Sequence, residues 1–172
     1  MDQSLSFVLE TERLRLREFA PMDADALERV IGDPLAMRYY ASPFDRKGVE
    51  AWIARNRERY AREGHGLWAM ALKESNEMIG DCGCVLQQVE ERPEIEIAYH
   101  VRRDLWGKGY ATEAARACME YAFAKIGARR LISMIRPENV QSRRVAEKNG
   151  LVCEKIVFWH GYDHCIYVRS KN

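Results

Sequence analysis

Trp106-Gly107-Lys108-Gly109-Tyr110-Ala111-Thr112-Glu113 is the stretch that decides how this chain is built. It follows a strand-like run, Glu94 to Val101, and opens an amphipathic helix expected over about residues 109–126. On that helix Ala111, Ala115, Cys118, Met119, Ala122 and Ile126 share one face. Two glycines at a strand-to-helix turn leave the backbone unshielded by side chains. The first N–H groups of a helix have no partner inside it, and they sit at the positive end of its dipole. Together these make a seat for phosphate oxygens, so a ligand carrying phosphate or diphosphate is expected. Glu113 near the helix start and Lys125 near its end suit the dipole, and Gly127 suits the C-terminal cap.

Upstream of the turn, Leu67 to Lys73, Met78 to Leu86 and Glu94 to Val101 read as three strands of an antiparallel meander. Glu74-Ser75-Asn76-Glu77 supplies the first hairpin turn and Val89 to Pro93 the second. Further upstream, Leu14-Arg15-Leu16-Arg17 alternates like a short strand. A helix starting at Pro21-Met22-Asp23 runs to about Ile31 and stops at Gly32-Asp33-Pro34. A second helix covers about 48–63, with Val49, Trp52, Ile53, Asn56 and Tyr60 inward and Arg55, Arg57, Arg59 and Arg62 outward. That basic face reads as solvated, with attraction of an acidic partner as its functional alternative. Downstream come a strand at Arg130 to Ile135, a short helix at Asn139 to Asn149 and two strands, Leu151 to Phe158 and His164 to Arg169. His160-Gly161-Tyr162-Asp163 joins the last pair. The order predicts one α+β domain over residues 1–172, with a sheet of about seven strands and helices on its faces.

The chain has 172 residues, 47% of them hydrophobic, which is enough for one core. A net charge of +1 gives no global pull toward nucleic acid or an anionic membrane. No apolar run approaches the roughly 20 residues of a membrane helix, and Met1 to Glu10 lacks the pattern of a signal peptide. A cytoplasmic, soluble protein is therefore expected. The five cysteines are scattered and odd in number, which argues against a disulfide framework. Cys82-Gly83-Cys84 lies in an expected strand without a second pair, and reads as small buried residues. His160 and His164 have helical ligand spacing, but Gly161-Tyr162-Asp163 reads as a turn, so no metal site is expected.

Nucleotide motifs do not fit the glycine turn. A P-loop places four residues between its first glycine and Gly-Lys-Ser/Thr. Here the lysine lies between two glycines, and no Ser or Thr follows it. A dinucleotide fingerprint needs G-x-G-x-x-G after the first strand of a βαβ unit. Residue 112 is Thr, and the turn follows an antiparallel meander.

Three motifs, in order along the chain, instead match one family. Trp106-Gly107-Lys108-Gly109-Tyr110-Ala111 resembles the pyrophosphate loop Gln/Arg-x-x-Gly-x-Gly/Ala of the GNAT acetyltransferases, which move an acetyl group from acetyl-CoA to an amine. Trp at the first position departs from the pattern, and is familiar in the subgroup that includes the ribosomal-protein N-terminal acetyltransferases. Asn139-x-x-Ser142-x-x-Val145-Ala146-Glu147-Lys148-x-Gly150 is similar to the helix bordering the pantetheine arm and the sulfur. Thr11-Glu12-Arg13-Leu14-x-Leu16-Arg17 looks like the subgroup's opening. The resemblance spans Leu14 to Arg169 and implies a mixed, mostly antiparallel GNAT-like sheet with helices on both faces.

The resemblance also implies roles. Acetyl-CoA is the acyl donor, its diphosphate resting on the amides from Gly107 to Thr112. Trp106 and Lys108 belong to the same loop. Backbone groups of His100 and Val101 run beside the pantetheine, where an N–H can hold the thioester oxygen as charge builds on it. An ammonium must lose a proton before it can attack, and a carboxylate whose pKa burial lifts can take it. Glu94 and Glu96 share one strand face, and the subgroup favours Glu96. Asn139 suits a helix N-cap and a pantetheine contact. Ser142 is the expected proton donor to the thiolate, with Tyr99, Tyr110 and Tyr162 as rivals. The tryptophans at 52, 68, 106 and 159 read as core, while His160 and Asp163 either border the acceptor or form a solvated turn. The acceptor is a primary amine, on a protein N-terminus or a small molecule. A homodimer is the family's habit. Two other readings stay open: an acyl-CoA-binding sensor without catalysis, and a nucleotide-binding regulator.

Overall fold

A computed structural model describes residues 7–171. The reading of the first residues as free of a leader falls partly on residues 1–6, which lie outside the described residues. The chain runs β1 (Phe7–Glu10), β2 (Leu14–Arg17), α1 (Ala24–Ile31), α2 (Arg46–Glu63), β3 (Leu67–Leu72), β4 (Met78–Val89) and β5 (Arg92–Val101). It continues with α3 (Tyr110–Tyr121), β6 (Arg130–Ile135), α4 (Val140–Lys148), β7 (Val152–Trp159) and β8 (Tyr162–Ser170). All eight strands form one sheet in the order β1-β2-β3-β4-β5-β6-β8-β7. Every neighbouring pair is antiparallel except β5 and β6, which α3 connects as a parallel crossover.

The sheet therefore has eight strands, not the expected seven. The added strand is β1, whose Phe7-Val8-Leu9 run does not alternate and which pairs on one side only, with β2. Such an edge strand carries no period-2 signature in its sequence. Several boundaries also move. A single 3-10 turn, Pro21–Asp23, precedes α1. The glycine-turn helix ends as regular α at Tyr121 and passes through a π turn, Ala122–Ile126, before Gly127 caps it at φ +76°. The hairpins are tighter than expected: Val89 pairs with Arg92 and Trp159 with Tyr162, leaving two-residue turns. Glu90, His160 and Gly161 there have φ of +54°, +47° and +87°, the conformation that fits a hairpin's twist. Asp163 thus sits in β8, while His160 is a turn residue.

Helices cover both faces. On one, α3 and α4 pack on a core containing Leu14, Leu16, Trp68, Ile97, Met119, Leu131 and Tyr167. On the other, α1 and α2 seal a second core of Leu27, Ile31, Val49, Ile53, Ala69 and Val85. Asp45 caps α2 by accepting from Gly48 N at 2.8 Å, and Asn56 holds α2 to β3 by accepting from Leu67 N at 2.9 Å. Arg17 and Asp23, both buried, form a bidentate ion pair at 2.7 Å through each oxygen, and Asp23 also accepts from Ala20 N. This pair fixes the entry to α1. Cys82, Cys84, Cys118 and Cys165 are buried and free, as small core residues, and Cys153 is exposed.

Candidate active site

Gly107 and Gly109 both occupy the left-handed region, at φ +79° and +84°, which residues with a side chain enter only at a cost. A Cβ at Gly109 would also stand 3.3 Å from the Arg13 guanidinium. The turn leaves a row of amides open. Trp106 N donates to Arg103 O, and the next backbone amide with a protein acceptor is Glu113 N, on Gly109 O at 3.0 Å. Residues 107–112 thus present N–H groups with no acceptor among the described residues, at the N-terminus of a twelve-residue helix. That donor set fits a diphosphate.

The strand before the turn meets its parallel neighbour at one place. Glu96 opposite Ile132 is the single registered pair between β5 and β6, and the strands part beyond it. Ser133 Oγ reaches across to Ile97 O at 2.8 Å near the bottom of the wedge. A cavity of about 360 Å³ occupies the opening, lined from one side by the turn and α4 and from the other by the segment joining α1 to α2. Trp106, Gly107, Gly109, Tyr110, Ala111, Thr112, Asn139 and Ser142 line it, as do His100 and Val101. Lys108 and Glu96 do not; Lys108 offers its carbonyl to Arg13 Nη1 at 2.9 Å.

Register corrects one expectation about β5. Arg102 N donates to Ile79 O on the β4 side at 2.8 Å. Backbone groups alternate along an antiparallel strand, so His100 also turns its N–H and C=O toward β4. The groups facing the wedge belong to Tyr99 and Val101, and Val101 O is taken by Trp106 Nε1 at 2.7 Å. What His100 brings to the cavity is its imidazole. The Trp in place of Gln or Arg in the loop thereby closes the end of β5.

Side chains alternate across the sheet. Ile95, Ile97, Tyr99 and Val101 join the α3–α4 side, whereas Glu94, Glu96, Ala98 and His100 face the α1–α2 side. The two expected catalytic residues therefore reach the wedge from opposite faces. On the α3–α4 side, Asn139 caps α4 by accepting from Ser142 N at 3.2 Å. Ser142 Oγ donates to Tyr99 Oη at 3.1 Å, and Tyr99 donates to Ser142 O at 2.9 Å. Burial pushes the Tyr99 phenol above its ordinary range, keeping it protonated. Of the three rival tyrosines, Tyr99 is the one hydrogen-bonded to Ser142 among the described residues. Tyr110 lies under Arg13 at 4.4 Å, and Tyr162 lies under Arg136 at 4.1 Å.

On the other face the two glutamates differ. Glu94 pairs with Arg130 Nε at 3.1 Å. Glu96 has no cationic partner among the described residues; it accepts from Gln87 Nε2 at 3.0 Å and more weakly from Met134 N at 3.4 Å. Burial raises its pKa, and these two hydrogen bonds only partly oppose that.

Two groups of residues escaped the sequence reading. Glu113 accepts from Thr11 Oγ1 at 2.5 Å, Arg13 N at 2.8 Å and Arg13 Nε at 2.7 Å. Burial raises the Glu113 pKa, but bonds from Thr11 and Arg13 outweigh it and hold the carboxyl below its ordinary range. The opening motif thus works as a brace for the glycine turn. The second group is Asp81, His100 and Tyr40. His100 Nδ1 lies 2.7 Å from Asp81 Oδ1, and His100 Nε2 lies 2.7 Å from Tyr40 Oη. An Asp inside the otherwise small and apolar run Met78-Ile79-Gly80-Asp81-Cys82 was the available signal. The neighbouring Tyr39 straps the cavity, donating to Glu138 O at 3.1 Å. Among the described residues no cluster of His, Cys, Asp and Glu is arranged to hold a metal, and no helix is long and apolar enough to cross a membrane.

Known proteins share this architecture. The model of the acetyltransferase (GNAT) domain matches residues 13–152. An uncharacterized protein of Bacillus subtilis (strain 168), YkkB, is 37% identical over 150 residues, covering 87% of each chain. A GNAT-family acetyltransferase from Bacillus anthracis superposes with a TM-score of 0.82 at 27% identity, covering 96% of this chain and 98% of that one. RimJ of Mycobacterium smegmatis, solved in complex with CoA-disulfide, superposes with a TM-score of 0.71 at 25% identity over 91% of this chain and 81% of its own. With an uncovered amide row at a helix start, a wedge between parallel strands and a matching family domain, this chain belongs to the GNAT acetyltransferases and is an acetyl-CoA-dependent N-acetyltransferase.

Proposed function

We propose that this enzyme is a single catalytic domain acetylating a primary amine by direct attack on the thioester, with Glu96 as base and the Ser142–Tyr99 pair as acid. The observation that carries the reading is Glu96: a half-buried carboxylate with no ion-pair partner among the described residues, placed where β5 and β6 separate and on the opposite face from the glycine turn. Donor and acceptor then enter from different sides and meet at the wedge.

The diphosphate rests on the amides of residues 107–112, and the acyl end reaches down the wedge past Tyr99 and Val101. Glu96 takes a proton from the acceptor ammonium through one water. The nitrogen lone pair attacks the carbonyl carbon and the C–S bond breaks, without a covalent enzyme intermediate. The thiolate receives its proton from Ser142 Oγ or Tyr99 Oη, which share one hydrogen-bonded pair. Asn139 holds the start of α4, and with it Ser142, against the pantetheine.

An α-amine is the favoured acceptor. Its reference pKa is about 2.4 units below that of a lysine amine, which makes its deprotonation about 3.3 kcal/mol easier. A panel tests the reading: acetyl-CoA with Ala- and Ser-initiated tetrapeptides, an N-blocked lysine peptide, free amino acids and spermidine, each followed by thiol release. A tetrapeptide giving the largest kcat/KM supports the proposal. Thiol release that stays at the amine-free rate with every member overturns the proposal.

A further inference from the structure

Acetylation of an ammonium removes two protons from one nitrogen, one before attack and one before the amide is neutral. Glu96 serves as base for the first only. We propose that Tyr40, His100 and Asp81 form a proton relay that takes the second; the inference rests on the amine-acetylation reading and deepens it.

Three separate elements build the relay. Asp81 on β4 stands directly opposite His100 on β5. Their close approach depends on Gly80, where a Cβ would lie 2.0 Å from His100 O. Tyr40 comes from the segment between α1 and α2. Asp81 is fully buried, and the His100 side chain is 9% exposed, whereas Tyr40 keeps 45% of its surface open and lines the cavity. The chain thus runs from a buried carboxylate to a hydroxyl at the site where substrate must enter.

Hydrogen-bond chemistry fixes its direction. An ionised carboxylate only accepts, so His100 Nδ1 carries a hydrogen toward Asp81 Oδ1. In a neutral imidazole Nε2 is then the acceptor, and the hydrogen in the 2.7 Å contact belongs to Tyr40. The Tyr40 oxygen keeps its lone pairs for a substrate N–H. The other oxygen of Asp81 accepts from Trp52 Nε1 at 2.9 Å, and Trp52 meets His100 edge-on at 5.4 Å. Among the described residues no Arg or Lys pairs with Asp81, so its charge is available to an imidazolium. This is the logic by which a buried Asp holds a His in one tautomer and stabilises its charged form.

The placement fits two successive losses. Glu96, Ala98 and His100 share one strand face, and four residues of strand span about 13 Å. The small side chain of Ala98 leaves room between them for the acceptor nitrogen and the water on Glu96. As the C–N bond forms, the nitrogen's second proton passes to Tyr40 Oη while the Tyr40 hydrogen passes to His100 Nε2. The C–S bond breaks and the sulfur takes a proton from the Ser142–Tyr99 pair. Two protons leave nitrogen, one is delivered to sulfur, and the balance of one is released to water.

Two measurements on the full chain decide it. In ¹⁵N spectra of the free enzyme, His100 should show a protonated Nδ1 and a bare Nε2, a signal that His100→Ala removes. The opposite tautomer overturns the relay. In kinetics, Tyr40→Phe and His100→Ala should each lower kcat about 10- to 100-fold with the acetyl-CoA KM unchanged. Imidazole should restore His100→Ala, and pyrazole, equal in shape but far weaker as a base, should not. The reactions followed are thiol release with the best amine of the panel and hydrolysis of acetyl-CoA, in which water is the nucleophile. Equal rescue by pyrazole, or Tyr40→Phe at the wild-type rate, overturns the relay. Loss of activity in Glu96→Gln together with such an outcome leaves the amine-acetylation reading standing, and an inert panel with intact imidazole rescue of hydrolysis overturns the acceptor while keeping the relay.

Discussion

Replacing Glu96 by glutamine separates chemistry from folding in one substitution. The amide cannot accept a proton at neutral pH, so the loss is that of a general base, about 10²- to 10⁴-fold in kcat, or about 2.7 to 5.4 kcal/mol of barrier. The structural cost is small. The new side-chain amide keeps one carbonyl oxygen for the 3.0 Å bond from Gln87 and gives up the weaker 3.4 Å bond from Met134 N, a loss of at most about 1 kcal/mol. Against this stands relief of a partly desolvated charge. Burial raises the Glu96 pKa above its unfolded value, so the unfolded chain binds fewer protons than the native one between those values. Ionised Glu96 therefore costs stability at neutral pH, and the cost disappears as pH falls through the folded pKa. At pH 7 the variant should melt at the wild-type temperature or above it, with the advantage vanishing in acid. The acetyl-CoA KM and the ligand-induced rise in Tm should match wild type. That rise is about 2.7 kcal/mol at 100 times Kd, or roughly 5 to 10 °C at this size. Wild-type kcat/KM should fall as pH drops through a value above the ordinary carboxylate range, and that limb should be missing from the variant. Turnover within about threefold of wild type would remove Glu96 from the mechanism, because it is far below the yield of general-base catalysis. Loss of activity together with loss of the ligand-induced Tm rise would mean that Glu96 holds the cofactor site.

Other outcomes follow from the same contacts. Tyr99→Phe and Ser142→Ala should each lower kcat with little change in the acetyl-CoA KM, and the larger loss in single-turnover rates identifies the direct donor. Gly109→Ala should cost about 1 to 2 kcal/mol in urea unfolding, because a side chain enters the left-handed region, and should weaken acetyl-CoA binding in calorimetry. Arg17→Ala strands Asp23 as a buried charge and should cost about 3 to 5 kcal/mol, a fall of roughly 6 to 20 °C in Tm, with acetyl-CoA KM little changed in the folded fraction. Glu113 is held below its unfolded pKa by Thr11 and Arg13, so its stabilising effect is present above about pH 4.3 and fades as pH falls through the folded value. The stability gap between wild type and Glu113→Gln should follow that course in denaturation curves from pH 7 to 3.

Features legible in the sequence are those whose physics is local. The helix beginning after Gly109, the caps at Asn139 and Gly127, and the meander from Leu67 to Val101 all follow from backbone conformation and from hydrophobic period over a few residues. The glycine turn belongs with them, because its open amides depend on two left-handed residues and a helix start, and the family motifs around it carried the cofactor with it. The resemblance favoured Glu96 over Glu94, and what the fold adds is the difference in their surroundings, because the two share a face and a residue type. Arg130 arrives beside Glu94 through tertiary pairing, whereas Glu96, at the last registered pair of β5 and β6, has no ion-pair partner among the described residues.

The braces and relays lay beyond sequence for the same reason. Arg13 meets Glu113 across 100 positions, and Tyr40 meets His100 across 60. Strand register brings Asp81 opposite His100, and a slip of one residue would put it on the other face. Composition and period settle which segments form and which face is apolar. Only the assembled sheet settles which polar groups share a face at contact distance, because that depends on pairings between strands that nothing local specifies.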